Sequence, residues 1–281
     1  MVPKLMVTKP PQSPKADRRE AARAQALKLQ QEQLRREKRT RITILASVVA
    51  GLIVVGLVAF FILQSQEDDF AGAQSIPADV AQPATANTEG GVTFGVDGVA
   101  GTTSGDDAVN VDVYLDYMCP ICGQFEDTNQ QALDELREAG DITLTVHAIS
   151  ILDRVSQGSA YSTRSAQAFA FIADRAPEQA LAFNEALFAQ QPAEGTAGLT
   201  DDQLVSIAES VGVPTDVAAQ IPDLTFKQFV QAKTQVALAD PDLKNAQGSF
   251  GTPTILIDGA PITSNWTVPG NLTAEIQAAK G

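Results

Sequence analysis

Cys119-Pro120-Ile121-Cys122 holds the only two thiols in a chain of 281 residues. Two intervening residues let Cys122 come back one helical turn and attack a mixed disulfide formed on Cys119, closing a small ring. Cys119 is thus the candidate nucleophile and Cys122 the candidate resolving thiol. Two other uses of such a pair compete. A structural zinc needs about four ligands, and the single histidine, His147, is the only other soft donor. An inert structural disulfide usually closes a longer loop, whereas a pair that exchanges disulfides gains from having no third thiol to trap.

The chemistry depends on what precedes and follows the pair. From Val109 to Asp116 the chain alternates Val109, Val111, Val113 and Leu115 with Asn110, Asp112, Tyr114 and Asp116, the period of a strand. After the turn Tyr117-Met118 and the cysteines, Phe125, Ala132, Leu133 and Leu136 recur at helical spacing as far as Gly140, a helix stop. The cysteines therefore open a helix directly after a strand. A sulfur there faces unpaired backbone N–H groups and the positive end of the helix dipole, both of which favour thiolate over thiol. Pro120 suits the first helical turn, where its missing N–H costs nothing.

Farther on, Phe250-Gly251-Thr252-Pro253-Thr254-Ile255-Leu256-Ile257-Asp258-Gly259 sets a Thr-Pro bond before a β-rich run and a Gly turn, with a closing helix from about Asn271 to Lys280. Between the two motifs lie a strand over Ile142–Ile149 and a long helical section. Its markers are YSTRSAQAFAFIADRA, PEQALAFNEALFAQ, a capping box at Thr200-Asp201-Asp202-Gln203, and a face formed by Phe226, Phe229, Val230 and Ala237. His147 shares a strand face with Thr143 and Thr145 and reads as a hydrogen-bonded structural residue more than as a proton relay. Gly95, Gly98 and Gly101 fall in a segment without the Lys or G-x-G start of a phosphate loop, which reads as a strand and turn.

Taken together, Asp116 with Cys119-Pro120-Ile121-Cys122, and Gly251-Thr252-Pro253-Thr254, resemble the thioredoxin-like proteins of the DsbA type, specifically their membrane-anchored relatives outside the cytoplasm. The resemblance covers residues 92–281. It implies an α/β thioredoxin-like fold with an inserted helical subdomain at about 153–247, and thiol:disulfide exchange without cofactor or metal. It makes Pro253 a cis proline packed against the cysteines. Thr252 then presents its N–H and C=O to an extended substrate chain, and Pro120 and Ile121 contribute to substrate binding. Reduced, folding secreted proteins are the implied partners, with a quinone-linked membrane protein as reoxidant.

The sequence also departs from that family. Members often carry a buried acid six residues before the nucleophile, and here the position is Val113. Asp116 is the candidate proton relay in its place, with Asp112 a second choice and a solvated strand-edge carboxylate the plainer reading of either. Ile121 offers a thiolate neither charge nor hydrogen bond, so a weaker oxidant than the strongest members is expected, inside the broad span of about −120 to −270 mV. A reductase or isomerase kept reduced, and a non-catalytic interaction module of the same fold, are the rival functions.

Charge divides the chain. Residues 1–41 carry 12 Lys/Arg against 4 Asp/Glu, net +8, which leaves 8 against 30, net −22, of the overall −14 for the remainder. So acidic a remainder excludes a general nucleic-acid binder. Ile42 to Leu63 is an uncharged run of 22 residues, about 33 Å of helix and enough to span a hydrocarbon core of about 30 Å. Arg35, Arg36, Lys38, Arg39 and Arg41 before it, and Glu67, Asp68 and Asp69 after it, orient the N-terminus to the cytoplasm and the cysteines outside. A cleaved signal peptide fits less well, since its apolar core is ordinarily about 7–15 residues. The basic segment is suited to anionic lipid headgroups. Residues 64–91, poor in large apolar side chains, read as a flexible linker.

Overall fold

The structure is a computed structural model that describes residues 70–245 and 247–280. The basic segment 1–41 and the expected membrane span 42–63 lie outside the described residues. Among the described residues no helix is long and apolar enough to cross a membrane.

Five strands, β1 (Val92–Phe94), β2 (Val109–Leu115), β3 (Ile142–Ala148), β4 (Thr254–Ile257) and β5 (Ala260–Pro261), form one sheet in the order β1-β3-β2-β4-β5. β2 runs down the middle, parallel to β3 with Val113 opposite Val146, and antiparallel to β4 with Val113 opposite Ile255. A parallel pair needs a crossover, and α1 (Pro120–Glu138) supplies it. Its stripe of Phe125, Leu133 and Leu136 is buried, as are Val111, Val113 and Leu115 of β2. Each such side chain contributes about 1.5–3 kcal/mol relative to exposure. Gly140, at φ 76°, takes the left-handed turn that ends the crossover helix. The closing helix, here assigned over Asn271–Ala279, buries Leu272 and Ile276.

The long interval between β3 and β4 is the expected helical insertion: α2 (Tyr161–Arg175), α3 (Ala180–Ala189), α4 (Asp201–Ser210), α5 (Thr215–Ala218) and α6 (Lys227–Ala239). The closing helix is therefore α7. Every residue of α2 except Arg164, Asp174 and Arg175 is buried, so its polar positions need partners inside. Gln167 Nε2 donates to the Ile221 carbonyl (2.9 Å), and Ser165 Oγ donates to the Tyr161 carbonyl (2.8 Å). The capping box opens α4: the Gln203 N–H donates to Thr200 Oγ1 (3.2 Å) and the Thr200 N–H to Gln203 Oε1 (2.8 Å).

One expected boundary needs correction. From Phe70 onward the segment read as linker packs on the domain: Val80 is buried, and Phe70, Ile76 and Ala86 rest against the core. Backbone does much of this packing. A Cβ on Gly91 would collide with Thr145 and His147. Few large side chains are needed where a glycine backbone lies flat on a sheet, so composition alone suggested a free tether. This cover helps bury Thr145 and His147, while the Thr143 hydroxyl, buried as well, accepts from the Ser104 N–H (3.0 Å). His147 Nε2 pairs with Asp112 Oδ1 (3.0 Å) and its ring stacks on Tyr114 at 4.0 Å between centroids. Burial lowers its pKa, against the pull of Asp112, which fits the structural role expected of it.

Candidate active site

The turn between β2 and α1 sets Cys119 at the N-cap of α1, with extended backbone angles (φ −78°, ψ 114°), and Pro120 in the first turn. The Cys119 carbonyl accepts the first helical bonds, from the N–H groups of Cys122 (3.0 Å) and Gly123 (3.2 Å). Both cysteines are free thiols. Cys119 is 7% exposed and Cys122 1%, while Ile121 between them is 53% exposed. Across the site the Thr252-Pro253 peptide is cis, and the Cys119 thiol donates to the Thr252 carbonyl at 3.5 Å. The two motifs, 133 positions apart, thus meet at one sulfur. Beside them Pro253, Thr254, Lys244, Ile262 and Trp266 line an open groove of about 430 Å³.

The sulfurs are electrically unlike. The Cys122 thiol, hydrogen bonding to Cys119, pulls the Cys119 pKa down to about 6 against the opposing effect of burial, helped by the Thr252 side chain and the Cys122 and Ile121 N–H groups. Burial pushes the Cys122 thiol well up, and the neighbouring Cys119 sulfur pushes it further. With a pKa near 6, Cys119 holds ~30-fold more thiolate at pH 7 than a free cysteine of pKa ~8.5. Alkylation of the reduced protein is therefore expected to follow a single titration with a midpoint near pH 6, removed by Cys119→Ala and kept by Cys122→Ala at a higher midpoint. A midpoint near 8.5 in the parent would contradict this electrostatic picture.

Behind the turn lies Asp116, fully buried rather than a solvated strand-edge carboxylate. Its Oδ1 accepts from the Met118 N–H (2.9 Å) and the Ser162 hydroxyl (2.7 Å), and its Oδ2 from the Leu152 N–H (3.0 Å). Burial raises its pKa to about 7 in spite of those three donors. Those donors are two backbone amides and a hydroxyl, not a thiol. Asp112, the second choice, is engaged with His147 on the opposite strand face from Val113. Val113 is 2% exposed and lines a small cavity shared with Phe125, Leu133 and Glu126.

Sequence reasoning passed over Asn184 and Gln191, which bond to this turn, and Glu126, which bonds to Asn184. The Tyr117 hydroxyl donates to Asn184 Oδ1 (2.9 Å), and Asn184 Nδ2 donates to Glu126 Oε1 (3.3 Å). Burial raises the Glu126 pKa to about 7, with Asn184 pulling the other way. Gln191 Nε2 donates to the carbonyls of Tyr117 (3.2 Å) and Cys119 (2.9 Å). Asn184 and Gln191 belong to the insertion, 67 and 72 positions from their partners, and nothing in a local pattern announces such bonds. No group of side chains suited to a metal ion occurs among the described residues.

A family model described as thioredoxin matches residues 99–273. No curated protein matches the chain by sequence. Among solved structures, DsbA of Mycobacterium tuberculosis in its oxidised form is 26% identical with a TM-score of 0.55, covering 68% of this chain and 93% of its own. The MdbA thiol-disulfide oxidoreductase of Actinomyces oris is 24% identical with a TM-score of 0.54, covering 74% and 97%. A reduced disulfide bond oxidoreductase, DsbG, of Mycobacterium tuberculosis is 25% identical with a TM-score of 0.52, covering 75% and 86%.

Proposed function

We propose, from the premise that the chain belongs to the thioredoxin family, that this thiol:disulfide oxidoreductase works outside the cytoplasm and passes its Cys119–Cys122 disulfide to reduced, incompletely folded proteins. One observation carries the reading: an acidic, helix-capping Cys119 lies beside the Thr252-Pro253 backbone while Cys122 is buried with its proton held.

A client thiolate attacks the Cys119 sulfur of the disulfide. The Cys119–Cys122 bond breaks, and Cys122 leaves with the electron pair and takes up a proton, as its raised pKa favours. A second client thiolate then attacks the client sulfur of the mixed disulfide and expels Cys119, a good leaving group because its pKa is low. The client loses two electrons and the enzyme is left as the dithiol. In the disulfide form Cys119 has no proton to donate, so the Thr252 carbonyl is free to accept an N–H from an extended client segment. Pro253 walls the groove, and Pro120 with the exposed Ile121 offers apolar contact.

The anchor at 42–63 holds the domain near chains emerging across the membrane, raising its effective concentration there. The basic segment 1–41 lies against anionic headgroups, and a quinone-linked membrane protein restores the disulfide. In intact cells treated first with a membrane-impermeant reductant, a membrane-impermeant thiol reagent is expected to label Cys119; full shielding of Cys119 until the membrane is permeabilised would refute the location. The activity is tested with the full chain in detergent, mixed with a reduced, unfolded model protein and glutathione disulfide. Native disulfides are expected to form faster than with Cys119→Ala, and equal rates would remove the enzyme reading. The potential is expected between about −270 and −120 mV, because a thiolate pKa near 6 falls between those of thioredoxin (~7) and the most acidic relatives (~3.5). A lower potential would favour the reductase reading.

A further inference from the structure

The Cys119 carbonyl is the acceptor on which the first turn of α1 hangs, through Cys122 N–H and Gly123 N–H. It also receives a donor from outside the helix, Gln191 Nε2 at 2.9 Å, and the same nitrogen reaches the Tyr117 carbonyl at 3.2 Å. One NH2 group thus joins two carbonyls across the turn that carries the nucleophile. The reversed amide would set an oxygen against two carbonyl oxygens, so the donor assignment follows from chemistry.

A second observation is independent of these bonds. Gly123 lies in the first turn of α1 with ordinary helical backbone, where Gly is less favourable than Ala. A Cβ at this position would collide with Gln191 Oε1. The missing side chain is the seat of the amide. Gln191 itself follows α3 and comes from the helical insertion, not from the sheet that carries the cysteines.

We propose that Gln191 is a positioning residue: its side-chain amide, brought in by the insertion and seated on Gly123, grips the Cys119 carbonyl and fixes the first turn of α1, whose N–H groups face the Cys119 sulfur. The inference rests on the reading of Cys119 as the reactive thiol. Through this grip the insertion sets the acidity of a residue it does not contain. A thiolate is stabilised only by donors held in place; once the turn can shift, the Ile121 and Cys122 N–H groups aim less well and the thiol form gains.

The test is a thiolate titration by ultraviolet absorbance on the reduced full chain in detergent, where two cysteines leave little ambiguity. Gln191→Ala is expected to raise the Cys119 pKa by about one unit, as for loss of ordered donors to a charged group, and to make the potential more negative. Gln191→Glu, which opposes an acceptor to both carbonyls, should raise it further. Gly123→Ala should move the pKa the same way by unseating the amide, even though Ala is the better helix former. In the double variant Gln191→Ala/Gly123→Ala the collision is gone, so its pKa should equal that of Gln191→Ala alone. A role limited to stability would lower Tm and leave both pKa and potential in place. The proposal is overturned if Gln191→Ala keeps the parental pKa and potential, or if the two single effects add fully. A parent whose own thiol titrates near 8.5 would instead refute the reading of Cys119 itself.

Discussion

Cys122→Ala is expected to turn the catalyst into a trap. The variant keeps a reactive Cys119 but has no second sulfur to expel a bound partner. Offered a protein that contains accessible disulfides, it should accumulate a mixed disulfide visible as a mass adduct and cleaved by reducing agent. The parent should show only a trace of this species, because Cys122 lies one turn away and its thiol hydrogen bonds to Cys119. Cys119→Ala should form no adduct, since the remaining thiol is 1% exposed and its pKa is pushed well up. Both single variants should lose disulfide donation down to the uncatalysed rate, as neither can hold the internal disulfide. Adducts of equal yield on Cys119→Ala and Cys122→Ala would show that the division of labour between the sulfurs is mistaken.

The second large effect is expected at Asp116 and concerns stability. Three donors converge on its carboxylate, and Ala would leave the Met118 and Leu152 amides and the Ser162 hydroxyl buried without their partner. At about 1–3 kcal/mol for each unsatisfied group, the variant should lose at least 3 kcal/mol. Asn should cost less, about 1–3 kcal/mol, because only its NH2 opposing the Leu152 N–H is wrong. The pH dependence gives a separate check. With a folded pKa of about 7 against an ordinary value of 3.8, the folded protein binds a proton between pH 4 and 7 that the unfolded chain has released. This contribution is complete below the unfolded value and is lost as pH rises through the folded one. Urea midpoints should therefore fall from about pH 4 to about pH 7, and the slope should be shallower in Asp116→Asn. Glu126, Asp134, Asp153 and Glu185, raised in the same direction by burial, contribute to the slope that remains, and His147, lowered by burial, opposes it. An Asn variant as stable as the parent with an unchanged slope would show that this carboxylate is not what the turn hangs on.

Much of the site is legible because it is local. The alternation over Val109–Leu115, the cysteines after it and the periodic apolar residues of α1 sit in one strand, turn and helix. Backbone geometry alone then places Cys119 at a helix N-terminus. The cis peptide before Pro253 was expected from the resemblance and is found. Asp116 shows where such reasoning stops. As a residue following a strand it reads as solvated, and only the insertion, through Ser162 and the loop at Leu152, buries it. The segment from Phe70 to Gly91 misleads for a related reason: glycine backbone packed on Thr145 and His147 leaves no apolar mark in the composition.

The amino-acid order by itself determined the reactive pair, the strand and helix that carry it, the helical insertion and the apolar run before the domain, since each follows from spacing along a few turns of chain. Cys122 and the first-turn N–H groups make Cys119 acidic locally, and tertiary structure decided what adds to that acidity and what steadies the turn. Thr252, Asn184 and Gln191 reach the turn from 133, 67 and 72 positions away. Hydrogen bonds act over about 3 Å of space whatever the separation in sequence, so these partners exist only once the sheet and the insertion have closed around the turn.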